Sequence, residues 1–251
     1  MKQVFVALFL MASTVCMAET DFEEAKKLAE QGESWAQSML GFMYQFGKGT
    51  PKDYKEALKW HLKAASQGNK ESQSMLGNMY YKGEGVPKDD KEAFNWHLKA
   101  ASQGHAESQS LVGAMYLYCK DIPKDEKEAC KWFLKAAEQG QSQAQFMLGT
   151  AYYRGEGTRK DYKEAFKWYL KSAEQGEVMS QNNLGIMYAN GEGVQTDYVQ
   201  AYVWLSIVVV NLKTDNSRKS LTELECKMTP EQIAKAQKLS KKLYEKIYDK
   251  R

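Results

Sequence analysis

The chain is poor in the residues from which most small active sites are built: its 251 residues include three histidines and four cysteines. With only His61, His97 and His105, and with no HExxH or CxxC spacing, the sequence offers no metal site. No serine opens an S-x-x-K sequence and K-T-G is missing. Gly47-Lys-Gly-Thr50 has neither the spacing nor the preceding strand of a phosphate loop. No catalytic residue, metal or cofactor is therefore expected. A surplus of one charge is lacking too. Lys+Arg 35 against Asp+Glu 32 leave +3, which gives little hold for nucleic acid or an anionic membrane. Four prolines and 18 glycines are too few for a collagen-like or low-complexity chain. No apolar run reaches the ~20 residues of a membrane-spanning helix, so no stable membrane insertion is expected.

What is present starts with the pattern of an export signal. Lys2 supplies a minimal positive region, and Val4 to Val15 is apolar apart from Ser13 and Thr14. Cys16-Met17-Ala18 then places small residues at a cleavage site before Glu19. Residues 1–18 are read as a signal peptide, giving an exported protein, periplasmic or secreted. A retained anchor and a lipid on Cys16 are the alternatives, though Val15 is a poor residue before a lipidated cysteine. Cleavage leaves Cys119, Cys130 and Cys226, an odd number that suggests one pair and one free thiol.

The remaining sequence is repetitive, with 43% hydrophobic and 12% aromatic residues to build a core. Trp60, Trp96, Trp132, Trp168 and Trp204 recur every 36 residues, as do Gly41, Gly77, Gly113, Gly149 and Gly185. Tyr44 and Ala57 head two further series of the same period. Five copies run 36–71, 72–107, 108–143, 144–179 and 180–215, the mark of a solenoid. Each copy reads as two helices. In the first, Ala36, Leu40 and Tyr44 share a stripe, and Gly47 to Asp53 forms a turn with Pro51 blocking continuation. Asp53 is placed to cap the second helix, with Glu56 completing a capping-box variant. Ala57, Trp60 and Ala64-Ala65 follow, ending at Gly68. Residues 19–35 read as an N-terminal capping helix and 216–251 as C-terminal capping helices. The last begins at Thr229-Pro230, and its stripe Ile233, Ala236, Leu239, Leu243, Ile247 is assigned to covering the array. The apolar fifth second helix, Ala201 to Val210, needs cover on both sides. No segment shows sustained strand alternation, so the fold class is all-α.

On these residues the chain resembles the Sel-one-like repeats, relatives of the tetratricopeptide repeats. The fourth copy carries the pattern most fully: Ala144-Gln-Phe-Met-Leu-Gly149, Tyr152, Gly155-x-Gly157, Asp161, Ala165, Trp168, Ala173 and Gly176. The resemblance spans about residues 21 to 215. It implies a right-handed α/α superhelical solenoid whose first helices line a concave surface, acting as a scaffold for protein–protein contacts in exported bacterial proteins. The third copy departs from it, with Cys119-Lys-Asp121 in place of Gly-x-Gly. Some cysteine-rich relatives carry β-lactamase or cell-wall hydrolase assignments. Here the positions of their cysteine pairs hold alanines such as Ala65 and Ala101.

Several features have competing readings. The tryptophan column is taken as core, each ring burying on the order of 150–250 Å², so that Trp132→Ala is expected to cost about 3–5 kcal/mol. His61 and His97 share a column with Phe133, Tyr169 and Leu205, and are read as polar-tipped fillers rather than metal ligands. Cys119 and Cys130 both depart from the pattern in one repeat, which makes them a candidate disulfide across antiparallel helices, against two reduced small hydrophobes. The positions three, seven and ten residues into each copy vary while their neighbours are constant, and they form one helical stripe. From them Phe42, Gln45, Asn78, Tyr81, Leu117, Phe146, Thr150, Tyr153 and Ile186 are assigned to a partner-binding concave face. The opposite face, with Lys55, Lys59 and Lys63, reads as solvated. The expected function is an exported non-catalytic scaffold for a protein or peptide. A periplasmic regulator of a membrane sensor or wall enzyme, and a hydrolase, are the alternatives.

Overall fold

The computed structural model describes residues 19–248, and the signal-peptide reading of residues 1–18 lies outside them. Among the described residues there are thirteen helices and no strand. They are α1 (Glu19–Glu30), α2 (Ser34–Phe46), α3 (Tyr54–Ser66), α4 (Lys70–Lys82), α5 (Asp90–Ser102), α6 (Ala106–Tyr118) and α7 (Glu126–Glu138). Then come α8 (Ser142–Arg154), α9 (Tyr162–Glu174), α10 (Val178–Asn190), α11 (Tyr198–Leu212), α12 (Asp215–Glu225) and α13 (Pro230–Tyr248). The described residues divide into two compact units, one up to Ser108 and one from Gln109.

In the first unit each helix packs on the next, from α1 through α5. Phe22, Ala25 and Ala29 of α1 join Ala36, Leu40 and Met43 of α2 and Trp60 of α3 in one buried cluster. The helix ends follow from local chemistry. Asp53 Oδ1 accepts from the Lys55 and Glu56 N–H groups, and Asp89 does the same for α5. The capping box, however, stays open. Glu56 turns forward to Lys59 at 3.1 Å, because the Asp53 N–H that would bind it is donated to the Tyr44 carbonyl. At the other ends Gly47 and Gly83 take the left-handed conformation that closes α2 and α4.

In the second unit α7 to α11 pack in the same succession, and α11 is covered by α12 and α13. Trp204 and Ile207 of α11 lie with Tyr169, Leu184 and Ile247, while Ala236 joins Tyr202 and Leu205. Cover is incomplete: Val210 and Leu212, at the end of α11, are exposed. The third copy has no left-handed glycine after α6. Its loop instead buries Ile122.

Two periodic contacts hold successive helices together. The glycine column exists because a second-helix ring lies against it: a Cβ on Gly149 would stand 2.7 Å from Tyr169 Cδ1, and one on Gly113 2.8 Å from Phe133 Cε1. The second contact is a glutamine ladder. Gln73 Nε2 reaches back to the Ala65 carbonyl at 3.3 Å, and its Oε1 accepts from Gln103 at 2.7 Å. Gln37 with Gln67, and Gln145 with Gln175, repeat the arrangement. These amides give a second donor to helix-end carbonyls that already accept a glycine N–H, and they tie each helix to the next through buried polar contacts.

The tryptophan column is less uniform than expected. Trp60, Trp168 and Trp204 are buried, but Trp96 and Trp132 are half-buried. A lysine ammonium lies over each exposed face, Lys99 at 3.9 Å and Lys135 at 4.1 Å from the ring centroids.

Candidate protein-interaction face

The varying stripe of the first helices takes different roles in different repeats. In the first unit, Phe42 and Tyr81 are exposed, Tyr81 to 52%, and Asn78 is half-buried. Lys48 lies over the Phe42 ring and Lys88 over the Tyr81 ring, at 5.4 and 5.2 Å. Gln45 must be corrected: it is 5% exposed and turned inward, its amide donating to Glu84 at 3.3 Å. Tyr54 holds the same carboxylate. Gln45 therefore braces one repeat against the turn of the next and offers no surface to a partner.

The second unit repeats that brace with a different residue. Tyr153, in the same column three copies later, donates its hydroxyl to Glu192 at 2.9 Å. Burial and this carboxylate push the phenol up to about 12. Its ring is 5.1 Å from that of Tyr162. Thr150 donates to the Phe146 carbonyl and accepts from Tyr169, so its hydroxyl is also engaged internally. Phe146 is half-buried beside Tyr169, and Leu117 packs on the Phe133 cluster. Ile186 is the most open member here, at 40%.

Three exposed aromatics escaped the stripe as drawn. Trp35 and Phe46 lie seven residues before and four after Phe42, on the same face of α2, and Phe46 stacks 4.4 Å from Phe42. Trp35 lies one helical step before Ser38, and Phe46 one step after Phe42 on the flank of the stripe. Tyr118, at the end of α6, is exposed in the second unit.

The remaining candidates carry no visible chemistry. Cys119, Cys130 and Cys226 are free thiols, and the Cys130 thiol donates to the Glu156 carbonyl at 3.2 Å. Burial, then Glu126 and Glu156, pushes that thiol up to about 11. Ser72 and Ser108 do meet histidine rings, but both are fully buried and no substrate can reach them. Among the described residues no group of His, Cys, Asp or Glu is placed to hold a metal, and no helix is long and apolar enough to cross a membrane. An open groove of about 580 Å³ in the second unit is lined by Lys124, Glu126, Lys127, Thr158 and Arg159. It carries both signs of charge, with Lys124 and Glu126 paired at 2.7 Å.

Comparison with known proteins agrees with this architecture. The model of the Sel1 repeat matches residues 36–69, 70–105, 106–141, 142–177 and 178–207. A protective antigen present in uropathogenic Escherichia coli strains, displaying an SLR fold, is 38% identical with a TM-score of 0.80 over 90% of this chain. The match takes up 48% of that protein, so this chain spans about half of its length. A Sel1 repeat protein from Oxalobacter formigenes is 31% identical with a TM-score of 0.68, over 88% of this chain and 99% of that one. No curated protein matches. The five matched repeats and the stacked helix pairs that carry them make this an all-α solenoid that belongs to the Sel1 repeat family.

Proposed function

We propose that the protein is an exported, non-catalytic scaffold that binds a protein or peptide through the first-helix face of its repeats. The observation that carries this is the aromatic surface of α2 and α4: Trp35, Phe42, Phe46 and Tyr81 all stand open. The fourth-copy counterparts of Phe42 and Tyr81, Thr150 and Tyr153, are engaged within the fold. Exposed aromatics on a preorganised helical face are the side chains that dominate protein interfaces, because they bury much area at little ordering cost. Within the stripe the reading keeps Phe42, Asn78 and Tyr81 as contacts in the first unit, and Ile186 as the exposed member in the second. The Sel1 repeat fold generally serves protein–protein interaction, and the Escherichia coli relative is a protective antigen, which favours a place outside the cytoplasm.

The test is affinity capture from an exported fraction, with the full chain and a Phe42→Ser/Tyr81→Ser variant as baits matched by circular dichroism. A partner held by the first and lost by the second supports the reading. Equal capture by both baits moves binding to the loops or the C-terminal helices. Capture by neither counts against a scaffold.

A further inference from the structure

All three histidines fall in the first unit, and two of them sit at the centre of its packing. His61 of α3 is fully buried and His97 of α5 is 2% exposed. Each ring lies hard against a glycine of the preceding helix. A Cβ would stand 2.8 Å from His61 Nδ1 at Gly41, and 2.6 Å from His97 Nε2 at Gly77. Between ring and backbone there is no room for water or a counter-ion.

Each ring also meets a serine of the next copy. His61 Nδ1 lies 3.1 Å from Ser72 Oγ, and His97 Nδ1 3.3 Å from Ser108 Oγ. The third copy changes both partners together, to Phe133 and Ala144. Ser108 serves a second imidazole as well: its hydroxyl is 3.0 Å from His105 Nδ1, which also accepts the Ser108 N–H at 3.2 Å. One hydroxyl thus stands between two histidines.

We propose that the first unit is an acid-sensitive element: protonation of His61, and of the His97–His105 pair around Ser108, breaks these buried contacts and loosens this unit, while the second unit stays closed.

The electrostatic surroundings leave an imidazolium unsupported. His61 Nε2 is buried with no hydrogen-bond partner, so a proton placed there finds no acceptor. No charged side chain of α2, α3 or α4 bears on His61, and burial alone sets its proton affinity. Burial dominates at His97 too, and its one titratable neighbour is His105, which repels a second positive charge. His105 is half-buried and lowered chiefly by burial, with Glu107 of α6 and Glu71 of α4 opposing that and Lys70 of α4 adding to it. His61 and His97 are thereby held down to about 4 against the ordinary 6.5. A folded-state value below the unfolded one means their stabilising contribution is complete above about pH 6.5 and is lost as the pH falls toward 4. At pH 5 each histidine favours opening by about 30-fold. The second unit has Phe133, Tyr169 and Leu205 in this column, none of which gains a proton in that range.

Hydrogen exchange of the full chain at pH 7.5 and 5.0, read by mass spectrometry and corrected for intrinsic rates, tests this. Protection over 57–76 and 93–108 is expected to fall more than 10-fold, with 129–148 and 165–184 changing less than 3-fold. Equal loss in both units overturns the proposal. The variants His61→Phe/Ser72→Ala and His97→Phe/Ser108→Ala copy the third copy and are each expected to restore protection locally at pH 5.0. An acid response that persists in both variants also overturns it. Imidazole proton signals of the unmodified chain give a check that needs no variant: His61 and His97 resonances titrating near 6.5 would refute the idea.

Discussion

The Tyr248 hydroxyl lies 3.1 and 3.3 Å from the two ends of the Gln181 amide, the place that a glutamine from the following turn fills in the earlier copies. Gln67, Gln103, Gln139 and Gln175 are those earlier partners, and their column continues to Asn211, one methylene shorter. Asn211 donates instead to the same hydroxyl at 2.8 Å. The last helix thus ends the array by inserting a phenol into a polar ladder, which an apolar cap could not do without leaving Gln181 half satisfied.

Tyr248→Phe is expected to destabilise the chain by about 1–2 kcal/mol, since it removes one donor and one acceptor from a buried network. In urea melts, Asn211→Ala should then add little in the Tyr248→Phe background, although it costs stability alone. Additive losses would show that the two residues do not share this bridge.

Gly149→Ala tests the other periodic contact. Its Cβ would fall 2.7 Å from Tyr169 Cδ1, and that ring is held by Thr150 and Tyr153 and buried in a cluster with Leu184 and Met187. A loss of about 1–3 kcal/mol is expected from overpacking, beyond any gain in helix propensity. A stabilised Gly149→Ala protein would mean that the helices can move apart freely at this junction.

The fold was legible because its signals repeat. A constant glycine facing a large side chain of varying type, and an aspartate that caps every second helix, recur at fixed spacing and reinforce one another. The glutamine ladder was equally periodic in the sequence, but its meaning depends on which carbonyls and amides the packed helices bring within reach of each other. The interaction face was harder to read. Variation between copies marks where stacking imposes no constraint, yet it does not separate an open side chain from one recruited to a local brace. Gln45 and Tyr81 occupy the same column, and only the carboxylate of Glu84 decides that the first is buried.

Trp132→Ala and Trp204→Ala should differ, although both belong to the tryptophan column. Trp204 is buried among Tyr169, Leu184 and Ile207, and its loss is expected to cost about 3–5 kcal/mol. Trp132 is half-buried beneath Lys135, and about 1–3 kcal/mol is expected from its smaller buried area and one cation–π contact. Chemical denaturation of both variants checks the order. A larger loss at Trp132 would mean that its ring is more deeply enclosed than its exposure suggests.

The thiols give the last test. Cys130 donates to the Glu156 carbonyl, and a Cβ on neighbouring Gly157 would stand 3.0 Å from its Sγ, so the sulfur sits within a tight contact. Its raised proton affinity leaves little thiolate near neutral pH, whereas Cys226 is exposed. In the native, unreduced chain beginning at Glu19, Cys226 is expected to react with a thiol reagent first and Cys130 far more slowly. After denaturation without reductant, three thiols should titrate. One thiol in place of three, with the bridge mapped to the Cys119 and Cys130 peptides, would establish that disulfide and require the loop after α6 to close differently. Its reduction should then destabilise the second unit by about 2–3 kcal/mol, as expected for a closed loop of this size.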